Sequence, residues 1–316
     1  MQFGLTDSQQ LTKNSAREFF SNEFPSAELR RIIETPTAHD PALWRKTADQ
    51  GWCAMTIPES CGGMGLDLVE TAAAMEEAGR ALVPGPLLAH LTACAAIASS
   101  GHVPPGLATG EKIATFACDS FPFVMDAAVA HYVVTPTLLV DSFTATHLPA
   151  IDLTRRLYKV AFDAGTPIQT DFPRALDIGT VLLCAELTGA MQRMLELTVA
   201  YVKTRKQFSK PVGSYQLVQA MCADMLVATE SARSATYFAA YALQQNLPEA
   251  PSVVSVAKSF IGDAARQTGN NAIQCHGGMG FTWENDVHLF YRRAKAAETA
   301  FGDAAFHRER IAQLAL

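Results

Sequence analysis

Gln274-Cys275-His276-Gly277-Gly278 sets two adjacent glycines behind a glutamine. A glycine has no side chain to hold a ligand off, so paired glycines let backbone N–H groups come close to an anion. A second run, Gly62-Gly63-Met64-Gly65, repeats the pattern. Either run alone reads first as a tight turn between helices. Arg205-Lys206, with Lys203 and Lys210 nearby, gathers positive charge where a helical pattern stops. Such charge complements a helix C-terminus, or it forms one jaw of an anion clamp.

Other chemistries lack their residues. No G-x-G-x-x-G follows a strand pattern, so the Rossmann fingerprint is absent. His276 and His288 have no Cys or carboxylate at ligand spacing, and no metal site is expected. Ser60 lies in Glu-Ser-Cys-Gly-Gly rather than G-x-S-x-G, which leaves a hydrolase elbow unsupported. The seven Cys include no C-x-x-C pair and read as reduced, mostly buried thiols of a cytoplasmic protein. The chain of 316 residues is 49% hydrophobic and 18% charged, ordinary globular usage. Its net charge of −6 comes without a basic block, so no nucleic-acid partner is expected. The start, MQFGLTDSQQ, lacks the charged and apolar regions of a secretory signal. The most apolar stretch, Ala81 to Ala98, is interrupted by Pro84, Gly85, Pro86 and His90. It predicts a buried helix after a turn and no membrane span.

These residues need elements to position them. Residues 7–35 have helical stripes, with Thr6-Asp7 as a start signal. Short helices are predicted from Pro41 to Gly51, over 68–82 and over 87–99. From about Leu107 the period changes to short β-rich runs: KIATFAC, AHYVVTPTLLV and LYKVAF. Four long helical patterns follow, over 176–205, 214–245, 251–273 and 284–314. The organisation is mainly α with a small β-domain: an N-terminal helical domain (1–106), a reduced middle β-domain (107–173) and a C-terminal helical bundle (174–316).

Three segments, in order, carry a resemblance. YVKTRKQFSKPVGSYQLVQAMCADM (201–225), QCHGGMGF (274–281) and RRAKAAETAFGD (292–303) resemble the C-terminal half of the acyl-CoA dehydrogenase family. Residues 51–89 resemble its N-terminal helical domain, and LATGEKIATFA (107–117) resembles the entry to its middle β-domain. The resemblance implies FAD as cofactor and α,β-dehydrogenation of an acyl-CoA thioester. In that reaction a carboxylate takes the α-proton while a hydride leaves for the flavin. It implies that Arg205, Phe208, Tyr215, Gln216, Gln274, Cys275, His276, Gly277 and Gly278 reach across an interface to the diphosphate and adenine end of a neighbour's FAD.

The departures fall on the other half of the family's site. Register on RRAK and Gly302 puts Phe301 where the usual catalytic Glu stands, and Gly179 falls at the family's alternative base position. Neither side chain titrates. Asp177 and Glu186 lie near Gly179 but out of register. Asp303 and Ala305 replace the Thr and Gln that help hold the same subunit's flavin. After Ala117 the family's two flavin-ring motifs are missing, and the β segment is roughly half the family's length. The expectation is a chain without its own catalytic residue, similar to the short non-catalytic subunit of heterotetrameric (α2β2) bacterial acyl-CoA dehydrogenases. A full-length partner would then supply the ring pocket, the base and acyl-CoA binding, with electron-transfer flavoprotein or a similar acceptor downstream. Two readings stay open beside it: a homodimeric enzyme with Asp177 or Glu186 as a relocated base, and a non-catalytic scaffold of the same fold.

Overall fold

A computed structural model describes residues 4–118 and 121–316. The N-terminal helices begin where local chemistry starts them. Thr6 caps α1 (Asp7–Glu23) by accepting from Gln9 N–H, while the Gln9 side chain accepts from Thr6 N–H. After α2 (Ser26–Ile33), Asp40 caps α3 (Pro41–Asp49), and Gly51 at φ 82° ends that turn. Asp67 and Glu70 form a second capping box at α4 (Leu68–Arg80). α5 (Leu87–Ala98) is buried along nearly its whole length, its two polar residues His90 and Thr92 included. Among the described residues no helix is long and apolar enough to cross a membrane.

The β region consists of strands of two to five residues: β1 (Ala114–Phe116), β2 (Val124–Met125), β3 (Tyr132–Val134), β4 (Leu138–Val140), β5 (Thr144–Leu148), β6 (Leu157–Ala161) and β7 (Thr166–Pro167). One sheet runs β1-β3-β4-β7 with β1 parallel to β3, and the other runs β2-β6-β5, all antiparallel. Strands this short bury little by themselves, and the region leans on helices. Buried His90 of α5 accepts from Ala114 N–H of β1 at 3.1 Å. Asp119 and Ser120, in the segment that lacks the flavin-ring motifs, lie outside the described residues.

The bundle is α6 (Phe172–Thr204), α7 (Gln216–Gln244), α8 (Ala250–His276), α9 (Val287–Ala297) and α10 (Ala304–Ala315). α4 crosses α6 at backbone contact. A Cβ on Gly79 would lie 1.9 Å from Glu186 O, and one on Gly189 would lie 1.7 Å from Glu76 O. Only glycine fits either position. The single helix predicted over 284–314 is instead two. Phe301 and Gly302 turn left-handed at φ 59° and 96°, and Asp303 restarts the chain by accepting from Phe306 N–H at 2.8 Å.

Charges at the centre tie β region to bundle. Arg293 of α9 donates to Asp152 at 2.6 Å and to Thr154, and forms an ion pair with Glu186 of α6. Arg155 donates to both Glu186 oxygens at 3.0 Å. Asp126, with a left-handed φ of 52°, sits beside this cluster and accepts from Arg156 N–H. Burial lifts its carboxyl to about 6, although Arg155 and Arg293 pull the other way. The folded protein therefore prefers the acid form. That preference is harmless below the unfolded value near 4, and stability is lost as pH rises through 6. Asn keeps an acceptor and tolerates the left-handed backbone. Asp126→Asn should therefore unfold at higher urea than the parent at pH 8, by about 1–3 kcal/mol, with no gain at pH 4. Equal stability at pH 8 would contradict the account.

Candidate functional site

The last turn of α6 delivers Arg205, which is exposed and ends the helix in an extended conformation. A two-residue hairpin follows, β8 (Lys206–Gln207) against β9 (Lys210–Pro211). Its turn, Phe208-Ser209, has both residues left-handed, at φ 50° and 64°. Paired left-handed residues match the twist of a tight hairpin, but without glycine they cost on the order of 1 kcal/mol each. The turn holds Phe208 out at 89% exposure. Lys210 Nζ lies 4.4 Å above the Tyr215 ring, which braces the hairpin from behind.

α8 ends beside it. Gln274 is exposed. Gly277 takes φ 59°, ψ −140°, a backbone essentially closed to other residues. A Cβ on Gly277 or Gly278 would meet nothing within 4 Å, so the space above both is open. A small core of Val202, Val212 and Cys275, flanked by Tyr201, Tyr215 and Met221, joins the two segments. The Tyr201 and His276 rings stack at 4.4 Å. The fold therefore brings Arg205, Phe208, Tyr215, Gln216, Gln274, Gly277 and Gly278 to one end of the bundle. The open glycine cradle beside an exposed guanidinium fits the diphosphate end of a dinucleotide cofactor.

Two of the sequence-derived residues turn their side chains away from the cradle. Cys275 and His276 are still inside α8, and the helical turn points both side chains inward. Cys275 Sγ lies 3.7 Å from Met221 Sδ, and burial pushes its thiol up to about 12. His276 Nδ1 pairs with Ala272 O at 2.8 Å, and burial lowers its pKa. They support the cradle and offer it no side chain. Sequence reasoning missed Tyr201 and the exposed apolar residues after the glycines: Met279, Phe281 at 69% and Trp283 at 54%. Their clustering beside Gly277-Gly278 was the available signal.

The other half of the site has no titratable side chain at either expected base position. The two base positions meet in space: a Cβ on Gly179 would lie 2.8 Å from Phe301 Cε1 and 2.5 Å from Thr92 Oγ1. Phe301 is 3% exposed and packs on Phe116 and Phe121, with centroids 5.3 and 5.9 Å away. Hydrocarbon fills the point where a base would stand. Asp177 is held by Arg310 at 2.6 and 2.9 Å. Burial raises its pKa, while Arg310 opposes that shift. Glu186 serves Arg155 and Arg293, and Asp303 caps α10.

Comparisons with known proteins bear on the family and the fold. The acyl-CoA dehydrogenase N-terminal domain matches residues 6–103, and the family's C-terminal domain matches residues 171–316. Acyl-CoA dehydrogenase IpdE2 of Mycolicibacterium smegmatis is 34% identical over 94% of this chain and 96% of its own length. The chain belongs to the acyl-CoA dehydrogenase family. That family is FAD-dependent and acts on acyl-CoA. Acyl-CoA dehydrogenase FadE34 of Mycobacterium tuberculosis is 31% identical over 92% of this chain, which spans 45% of that protein. Two solved assemblies share the fold. A Tcur3481-Tcur3483 steroid ACAD variant has a TM-score of 0.91 at 23% identity, covering 98% of both chains. The ChsE4-ChsE5 complex from Mycobacterium tuberculosis has 0.87 at 22%, covering 99% and 98%.

The meeting of positions 179 and 301 has a measurable consequence. Gly179→Ala should cost about 1–3 kcal/mol by forcing Thr92 and Phe301 apart. In a double-mutant cycle Phe301→Leu should recover part of that cost, with coupling of at least about 0.5 kcal/mol in chemical denaturation. Additive costs would separate the two positions.

Proposed function

We propose that this chain completes the FAD site of a full-length acyl-CoA dehydrogenase partner and carries no catalytic base of its own. One pairing of observations supports the reading: an outward clamp at Arg205, Phe208 and Gly277-Gly278, and a hydrocarbon plug at Phe301 and Gly179. A diphosphate held by Arg205 and the glycine backbone would belong to a cofactor whose ring lies in the partner. FAD supplies the hydride acceptor when bound. This chain's own residues orient and neutralise its phosphate end, with Phe208 projecting beside it. Tyr215, Gln216 and Gln274 flank the same surface. Phe281, Trp283 and Met279, close in sequence after the glycines, are exposed apolar side chains that a partner would cover.

The acyl-CoA would bind through the partner, and a bulky thioester is the class we propose. The steroid ACAD assembly among the fold neighbours favours that choice. Electrons would leave to an electron-transfer flavoprotein or a similar acceptor. A homodimer with its own base is disfavoured, because Asp177 and Glu186 are both committed to arginines. A cofactor-free scaffold would have no use for an open glycine cradle beside an exposed arginine.

Flavin stoichiometry tests the reading. The chain alone should retain little FAD, and its complex with the partner should hold one FAD per pair. Arg205→Ala should weaken FAD in that complex by about one to two decades, the loss of a charge-assisted contact. Lys206→Ala should leave it unchanged. A homodimer purified with one tight FAD per chain would overturn the proposal.

A further inference from the structure

We infer that Tyr201 is a positioning residue for the clamp: it sets the Gly277-Gly278 cradle against Arg205. The inference rests on the reading that this chain grips a partner's FAD. The two jaws come from different helices, Arg205 from the end of α6 and the glycines from the end of α8. Both must meet one diphosphate, and a misplacement of about 1 Å is enough to spoil such a grip. Tyr201 lies one turn before Arg205, and its carbonyl accepts from Arg205 N–H at 2.9 Å. The Arg205 carbonyl accepts in turn from Val212 N–H at 2.8 Å, so the backbone of that jaw is held on both sides. The Tyr201 side chain crosses to the other jaw. Its ring stacks on His276 at 4.4 Å, with the planes 23° apart. The His276 ring is itself held, because Nδ1 pairs with Ala272 O at 2.8 Å.

The polarity of α8 gives the contact a second use. The helix reaches the cradle with its C-terminus, the negative end of its dipole, which opposes a phosphate. Two of its last carbonyls are answered by donors. Gln274 O accepts from Gly277 N–H, and His276 O accepts from the Tyr201 hydroxyl at 3.4 Å. The second bond is long for a hydroxyl donor, so the ring stack does most of the holding. Tyr201 therefore joins the jaws and turns a carbonyl at the negative end toward a proton. Phenylalanine would keep the stack and leave that carbonyl bare, whereas leucine would lose both.

Tyr201→Phe and Tyr201→Leu test it by two readings. In the full-length chain alone, amide hydrogen exchange over residues 277–283 should quicken by about three- to tenfold in Tyr201→Leu, the loss of one aromatic contact. Exchange in the middle of α4 and α6 should stay at the parent's rate. In the complex with the partner, Tyr201→Leu should raise the Kd for FAD at least about tenfold, and Tyr201→Phe by about two- to fivefold. ADP, which carries the diphosphate without the flavin ring, should lose affinity in the same order when it competes with FAD for the emptied complex. A tyrosine that served stability alone would shift the urea midpoint and leave ADP untouched. If Tyr201→Leu fails to fold, Tyr201→Phe decides through its FAD and ADP affinities. The inference is overturned if exchange over 277–283 in Tyr201→Leu matches the parent. It is equally overturned if FAD and ADP bind the variants like the parent while Arg205→Ala weakens FAD. If Arg205→Ala also leaves FAD in place, the clamp reading falls and the role of Tyr201 falls with it.

Discussion

The Arg293 guanidinium is 1% exposed, and its charge has to be answered inside the protein. An isolated buried charge is among the largest unfavourable terms a fold can carry. Here the answer comes from three parts of the chain: Asp152 and Thr154 in the β region, Glu186 on α6, and the Val83 carbonyl after α4. Removing Asp152 or Glu186 would strand a charge, which is far costlier than losing a surface pair. The cluster thus fixes how the weak β region sits on the helices. Packing alone would not do so for strands of two to five residues.

This use of carboxylates bears on the chemistry. Glu186 and Asp177 are the acids nearest the family's alternative base position, and both are bound to arginines. Charge that could have moved protons holds elements together instead. At the other end of the bundle the pattern reverses. Among the described residues the Arg205 side chain has no ion-pair partner, and the space above Gly277 and Gly278 is open. An interior with its charges satisfied and an exterior with its charge offered is the distribution expected of a subunit that contributes to a site rather than enclosing one.

Much of this was legible because its causes are local. Thr6, Asp40 and Asp67 cap helices through residues two or three positions away, so the N-terminal helices could be placed from sequence. The clamp segments could be read from residue type and resemblance. What stayed hidden depends on distant chain. Arg310 reaches Asp177 across 133 positions, and no sequence period announces it. The parallel pairing of β1 with β3 rests on three residues in each strand. Cys275 and His276 looked like loop residues because the glycines follow at once. α8 nevertheless runs to His276 and turns them in. The break at Gly302 was present in the sequence, but the helical pattern on either side masked it.

The clamp stands on a small core of its own, separate from the main one. Its mechanical footing is Val202, Val212 and Cys275, while the Phe301 plug is anchored in the large core. The two halves of the ancestral site therefore answer to different packing constraints. Positions 179 and 301 pack against Thr92, Phe116 and Phe121, none of which belongs to the small core under the clamp. A change at position 179 or 301 would be felt in the large core, while the segments carrying Arg205 and Gly277-Gly278 would keep a footing of their own.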